Sequence, residues 1–313
     1  MRFGIERILL IIAALGLLAS PALAGGKRGG ACKKTTGVAR KACKLGLKED
    51  IKLGEGVCFQ VSDAAESREC LGEVKEEARE TKEECDEVFE ARQEVCELLG
   101  QDPYDPELDP ANFVSVIDNP YAPFPVGATW VYEGLTDEGD LERIEIEVLA
   151  ETRTIEGIVA TVVSDIVTIK GEVVEDTVDW LAQDQDGNVW YLGEVSKNFE
   201  NDKLADLEGS WETGEDAAKA GFWMIGNPTV GDAYRQEYLL DEAEDIAEVI
   251  GDGESVTTPA GTFTNCIRTK DYTPLEPGPD GIENKIHCPG VGFVKEEKLA
   301  TGETLELIEF SMP

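Results

Sequence analysis

A single histidine, His287, stands in 313 residues, and no GxSxG segment precedes it. A Ser/His/Asp or Cys/His hydrolase would have to rest on that one ring without the strained nucleophile turn such sites use, so chemistry of that kind is set aside. Positive charge is equally scarce: 28 Lys and Arg face 65 Asp and Glu, a formal charge of −37. Binding nucleic acid or anionic lipid needs a concentration of cations that the chain lacks outside its N-terminus, so the acidic surface repels both, which excludes DNA and RNA as partners. Beyond residue 24 no run reaches the roughly 18 apolar residues of a membrane-spanning helix. The eight cysteines form no CxxC and no CxxCH, which argues against zinc, redox and covalent haem chemistry.

What is present begins with an export pattern. Arg2 and Arg7, the apolar run from Ile8 to Leu18 and the small residues of Ala22-Leu23-Ala24 read as a signal peptide over residues 1–24, placing the mature chain in the periplasm or outside the cell. Its removal takes the charge to −38, since two arginines and one glutamate leave. Eight cysteines in an exported chain point to disulfides.

Cysteines 32, 43, 58, 70, 85 and 96 are separated by 11, 15, 12, 15 and 11 residues, a series that reads the same in both directions. Residues that face each other across an antiparallel pair keep a constant sum, and 32 with 96, 43 with 85 and 58 with 70 all give 128. Steps of 11 and 15 return a helix within roughly 20° and 60° of its starting direction, so both arms can present their cysteines to each other. The spacing predicts a stapled antiparallel helical hairpin over 25–100 that turns near Ala64, with Ser62 or Asp63 as cap. Lys27 to Val57 holds nine basic and three acidic residues, and Gln60 to Leu99 five and fourteen, so the arms attract.

Six prolines between Pro103 and Pro125 predict an extended acidic linker over 101–125. From 126 to 313 the period is two, as in "ERIEIEVLAET" and "ETLELIEF", with Gly, Asp, Asn and Pro at the turns. The fold class expected is α+β: the hairpin, then a mainly antiparallel, curved sheet resembling a half-barrel or sandwich, with one short helix at Gly214 to Ala220. Asp186-Gly187 marks a hairpin turn. Cys266 and Cys288 have their midpoint inside "TPLEPGPDG", which predicts a cross-strand disulfide.

"DNPYAPFPVGATWVYEG", "EDTVDWLAQDQDGNVWYLGE", "GSWETGEDAAKAG", "VGDAYRQEY", "TPAGTFTN", "TPLEPG" and "PGVGFV" occur in this order between Asp118 and Glu309. As a set they resemble a family of secreted bacterial proteins of uncharacterised function. The resemblance implies export and a β-rich, curved sheet, and supplies no catalytic residues. Cys288 stands where the family commonly has alanine, and the six-cysteine hairpin lies outside the resemblance.

Two candidate sites follow from the residues. Trp180, Trp190, Tyr191, Trp211 and Trp223 could line one wall of the sheet and hold an apolar ligand. Asp184, Asp186, Asn188 and Glu194 offer oxygens to calcium, although the spacing is not that of an EF-hand. The main reading is an exported, non-enzymatic protein whose β-domain binds an apolar ligand or an envelope partner. An acidic extracellular assembly module, assisted by calcium, is the alternative, and a carboxylate-based glycoside hydrolase a minor one.

Overall fold

The computed structural model describes residues 30–313, and the expected signal segment lies outside them. Helix α1 (Ala31–Cys58) and helix α2 (Ala64–Leu99) form the expected hairpin. Its bridges are the nested pairs Cys32–Cys96, Cys43–Cys85 and Cys58–Cys70. Asp63 caps α2, its carboxylate accepting from the N–H groups of Ala65 at 2.7 Å and Glu66 at 3.0 Å. The opposite charges of the arms meet at Asp86, which pairs with Arg40 at 2.7 Å and also with Lys44. Four glycines do not break α1. One of them is needed, because a Cβ on Gly54 would stand 2.8 Å from the Val74 side chain of α2.

The connector is not a free spacer. A 3-10 turn over Pro110–Asn112 and strand β1 (Phe113–Val114) interrupt it, and Tyr104 donates its hydroxyl hydrogen to the Ala220 carbonyl at 2.7 Å. Further on, Ile117, Ala122 and Phe124 are buried in the core of the β-domain.

Long hairpins follow: β2 (Thr129–Leu135), β3 (Leu141–Ile155), β4 (Ile158–Ile169), β5 (Glu172–Asp184) and β6 (Val189–Glu200). Shorter strands come next, β7 (Lys203–Asp206), β8 (Trp211–Glu212), β9 (Lys219–Met224), β10 (Ala233–Arg235) and β11 (Glu237–Tyr238). The last five are β12 (Ile246–Thr258), β13 (Gly261–Tyr272), β14 (Ile282–Cys288), β15 (Gly292–Lys298) and β16 (Thr304–Ser311). Every pairing is antiparallel. The order runs from β12 to β16, across to β2, on to β6 and then β9.

The two ends of that path meet through one bent segment. Tyr234 of β10 lies opposite Ala247 of β12, and Glu237 of β11 lies opposite Ala220 of β9. The curved sheet therefore becomes a nearly closed barrel. Gly221 makes the bend feasible, since a Cβ there would stand 2.3 Å from the Gln236 carbonyl carbon. One expectation is corrected here: Gly214 to Ala220 is not helical. Asp216 and Ala217 take left-handed φ values of 47° and 68°, and β9 begins at Lys219, so this segment is a turn entering a strand. The short helical turn outside the hairpin lies in the connector, at Pro110–Asn112.

Cys266 and Cys288 form a cross-strand bridge beside the register pair Ile267 and His287. The hairpin is tied to the barrel by Arg92 of α2, 5% exposed, whose Nε donates to both oxygens of Glu244 at 3.1 Å. Its Nη2 also donates to Asp241 at 3.0 Å.

Candidate functional site

Because strand side chains alternate, β5 sends Glu175, Thr177, Asp179 and Leu181 to one face and Val178, Trp180 and Ala182 to the other. The first set faces the barrel interior. There it meets Asp165 of β4, Glu194 of β6, Glu237 of β11, Asp245, Asp271 of β13, Lys285 and His287 of β14, and Glu296 of β15, around a cavity of about 500 Å³. Tyr132, Ile144, Ile146, Trp223, Phe293 and Leu305 also line it, so acidic and apolar side chains share the cavity wall, Ile146 lying opposite Asp165 and Leu305 opposite Glu296 in strand register. A smaller recess of about 40 Å³ shares Tyr132, Ile146, Asp165, Asp179, Trp223 and Phe293 with it and continues to Phe124 and Trp130.

Lys285 is the one cation facing this space among the described residues. Its ammonium lies 3.3 Å from Glu283, 3.6 Å from Asp271 and 3.9 Å from Glu296. Burial acts against that charge, but Glu283, Asp271, Glu296 and Asp245 outweigh it and hold the Lys285 pKa well above the ordinary range. Asp165, Asp179, Glu194 and Glu237 have no cation within salt-bridge distance among the described residues, and Lys285 only partly offsets the burial of Asp165 and Asp245. Isolated carboxylates in a poorly solvated space favour the neutral form. Burial, with Glu175 nearby, pushes Asp179 up to about 7 against a 2.6 Å hydrogen bond donated by the Tyr191 hydroxyl. Burial and then Asp179 push Glu194 up to about 8. Burial raises Asp245 to about 6 and Glu296 to about 7, and holds Asp165 and Glu237 well above the usual carboxylate range.

Two buried groups that line the cavity each have an unpartnered atom. Asp271, 6% exposed, receives Gln236 on one oxygen at 3.4 Å, and its other oxygen has no hydrogen-bond partner. His287 is buried with Nδ1 unpartnered. Burial and then Lys285 push its pKa down to about 3, so the imidazole is neutral and a very weak base.

The structure divides the five aromatic candidates. Trp180 and Trp190 lie on the outer face in a cluster with Ile155, Ile158 and Leu192, which Leu108 and Phe113 of the connector help to cover. Tyr191, Trp211 and Trp223 lie on the inner side, with Tyr191 ring to ring against both tryptophans at 5.3 Å. Trp223 and Tyr191 reach the cavity.

The four calcium candidates are also divided. Asp184 accepts from the N–H groups of Asp186 and Asn188 on one oxygen and from Asn188 Nδ2 and Trp190 Nε1 on the other, at 2.8 to 3.0 Å. Asn188 Oδ1 accepts from Gly226 at 2.8 Å. Asp186 is exposed on the turn, while Glu194 faces the cavity. Among the described residues no group of three or more His, Cys, Asp or Glu is arranged to hold a metal ion. Apart from Tyr191, Glu194 and Trp223, the cavity residues escaped the sequence reading. The available signal was acid at alternate positions of strands whose other face is apolar.

No protein-family model and no curated protein matches the chain. Two solved structures are similar to it. One is a protein from Bacteroides fragilis NCTC 9343 described as exported and of YmcC-like fold, 16% identical, covering 62% of this chain and 100% of its own, with a TM-score of 0.37. The other is a protein from Parabacteroides distasonis ATCC 8503 described as a lipoprotein, 18% identical, covering 62% of this chain and 99% of its own, with a TM-score of 0.33.

Proposed function

We propose that the chain is an exported, non-enzymatic binding protein, one of a group of secreted bacterial barrels. Its ligand is a small amphiphile bearing a protonated amine. The observation that carries this reading is the mixed acidic and apolar lining of the cavity, in which Asp165, Asp179, Glu194 and Glu237 have no cation within salt-bridge distance among the described residues. Burying such groups is unfavourable unless each is protonated or meets a cation. A bound ammonium supplies one, while its hydrocarbon part replaces water against Trp223, Ile146 and Phe293. The volume of about 500 Å³ suits a small molecule. Export is supported by the eight cysteines, all joined in four disulfides. His287 is too weak a base to serve near neutrality, which disfavours histidine-based acid–base catalysis. Calcium-assisted assembly would have to use ligands other than Asp184, whose oxygens are already occupied.

Calorimetric titration with hexylamine, hexanol and hexanoate tests the reading. The amine is expected to bind best, releasing protons from the cluster so that the measured heat varies with the buffer. Asp179→Asn combined with Glu194→Gln should abolish that preference. An amine that binds no better than the alcohol would refute the proposal. Native mass spectrometry of protein from its own host would then identify the natural ligand.

A further inference from the structure

The five most exposed large apolar side chains among the described residues are Val38, Leu45, Leu53, Val57 and Phe59, at 62 to 67% exposure. All belong to α1 or to its C-cap residue. At about 100° per residue, Val38, Leu45, Leu53 and Val57 fall within an arc of about 120°, which also holds Ala42, Gly46 and Gly56. Nothing lies within 4 Å of where a Cβ on Gly46 or Gly56 would sit. The stripe is therefore flat and open, and from Val38 to Val57 it is about 29 Å long at 1.5 Å per residue. It cannot roll inward, because Cys32, Cys43 and Cys58 bind another face of α1 to α2.

One edge of the stripe is basic. Lys34, Lys41 and Lys48 recur every seven residues, lie within about 40° of one another, are exposed and are not ion-paired among the described residues. Lys52 continues the row, sharing its charge with Glu55 at 2.6 Å. Against this stand Glu49, inside the arc, and Asp50 at its far edge, both exposed. Elsewhere the chain is strongly acidic, so this cationic, apolar face is exceptional.

We propose that the outer face of α1 docks on an anionic phospholipid surface, with the stripe entering the headgroup boundary and the lysine row meeting lipid phosphates. A helix with apolar side chains beside a basic edge lies in such an interface rather than crossing it, and no described helix is long and apolar enough to cross a membrane. Charge decides the occupant. A second copy docked through this same face would meet it with the same lysines, whereas an anionic bilayer offers phosphates to the lysine row and an apolar layer to the stripe. The carboxylates on the far side of α2 lie roughly two helix diameters away, about 20 Å, beyond the screening length of about 10 Å at 0.1 M salt. They oppose docking only weakly.

The test is sedimentation of the full chain with vesicles of one part phosphatidylglycerol to three parts phosphatidylcholine, and with phosphatidylcholine alone. Binding is expected to the first, falling as salt rises, and not to the second. At about 1 kcal/mol per lysine near a charged surface, Lys41→Ala with Lys48→Ala should weaken it about thirtyfold. Leu45→Ser with Leu53→Ser should also weaken it, and Glu49→Gln should strengthen it. All these positions are exposed, so unchanged circular dichroism and melting certify the fold. Failure of the parent chain to sediment with the anionic vesicles, or lysine variants that bind as the parent does, would overturn the proposal. A solution dimer that the leucine variant converts to monomer, without vesicle binding, would assign the face to a second copy instead. None of these outcomes depends on what the barrel holds.

Discussion

Glu194 gives the sharpest account of what the interior acids do to the unliganded protein. Its ordinary pKa of 4.5 becomes about 8 in the fold, chiefly through burial and then the charge of Asp179. Between those values the folded chain holds a proton that the unfolded chain has released, so stability must fall as pH rises through the interval. His287 acts in the opposite sense. Its pKa drops from 6.5 to about 3 on folding, so it destabilises the fold below about pH 6.5 and has no effect above it. The clean window is therefore about pH 6.5 to 8.5. Across it Glu194 alone should cost about 2 kcal/mol, and its total penalty at pH 8 is on the order of 4 kcal/mol. The cluster is coupled, so the protons leave in shared steps and contributions from Asp179 and Glu296 do not simply add. For a domain of this size each kcal/mol moves Tm by about 2 to 4 °C. Through Glu194 alone the Tm read by circular dichroism should fall by about 4 to 8 °C across the window, and Glu194→Gln should remove about half of the parent's slope and melt above the parent at pH 8. A parent Tm that is flat or rises there, or a glutamine variant with the same slope, would refute the reasoning.

Three other expectations bear on the architecture. Arg92→Ala strands the Glu244 carboxylate, 3% exposed, and should cost about 3 to 5 kcal/mol; in urea titrations Arg92→Met with Glu244→Leu should recover much of that loss. Gly221→Ala drives a methyl group into the Gln236 backbone at the closure of the ring, and hydrogen exchange should show lost protection in β9 to β12 before other strands. Cys43→Ser with Cys85→Ser should destabilise the hairpin by about 2 to 4 kcal/mol, read as earlier helix loss in circular dichroism with the barrel's melting unchanged.

The hairpin was legible because a covalent constraint leaves an arithmetic trace. Cysteines that pair in register must keep a constant sum, and no other feature of the chain is bound so tightly to one geometry. The long strands were legible through their period of two. The closure was not, since β10 and β11 together hold five residues and are separated only by Gln236. The acid cavity was hidden by abundance: with 65 Asp and Glu, alternating acids such as Glu175 and Asp179 look like a solvated face until curvature turns that face inward. The aromatic wall failed for a related reason. Trp190 and Tyr191 are neighbours in sequence and so point to opposite sides of β6. The helix expected near Gly214 rested on the alanines of a segment whose Asp216 and Ala217 instead take turn conformations.

The ring has two kinds of junction, and they differ in how much chain must be gathered to make them. Glu237 meets Ala220 only 17 residues back, and Tyr234 meets Ala247 only 13 ahead. Trp130 meets Phe310, 180 residues away. Loop closure grows dearer with length, and long-range pairing slows folding. The β2 and β16 seam should thus be the last to form, leaving an open sheet with two raw edges until Thr304–Ser311 arrives. A protein built this way is best held unfolded until its whole chain is on the far side of the membrane.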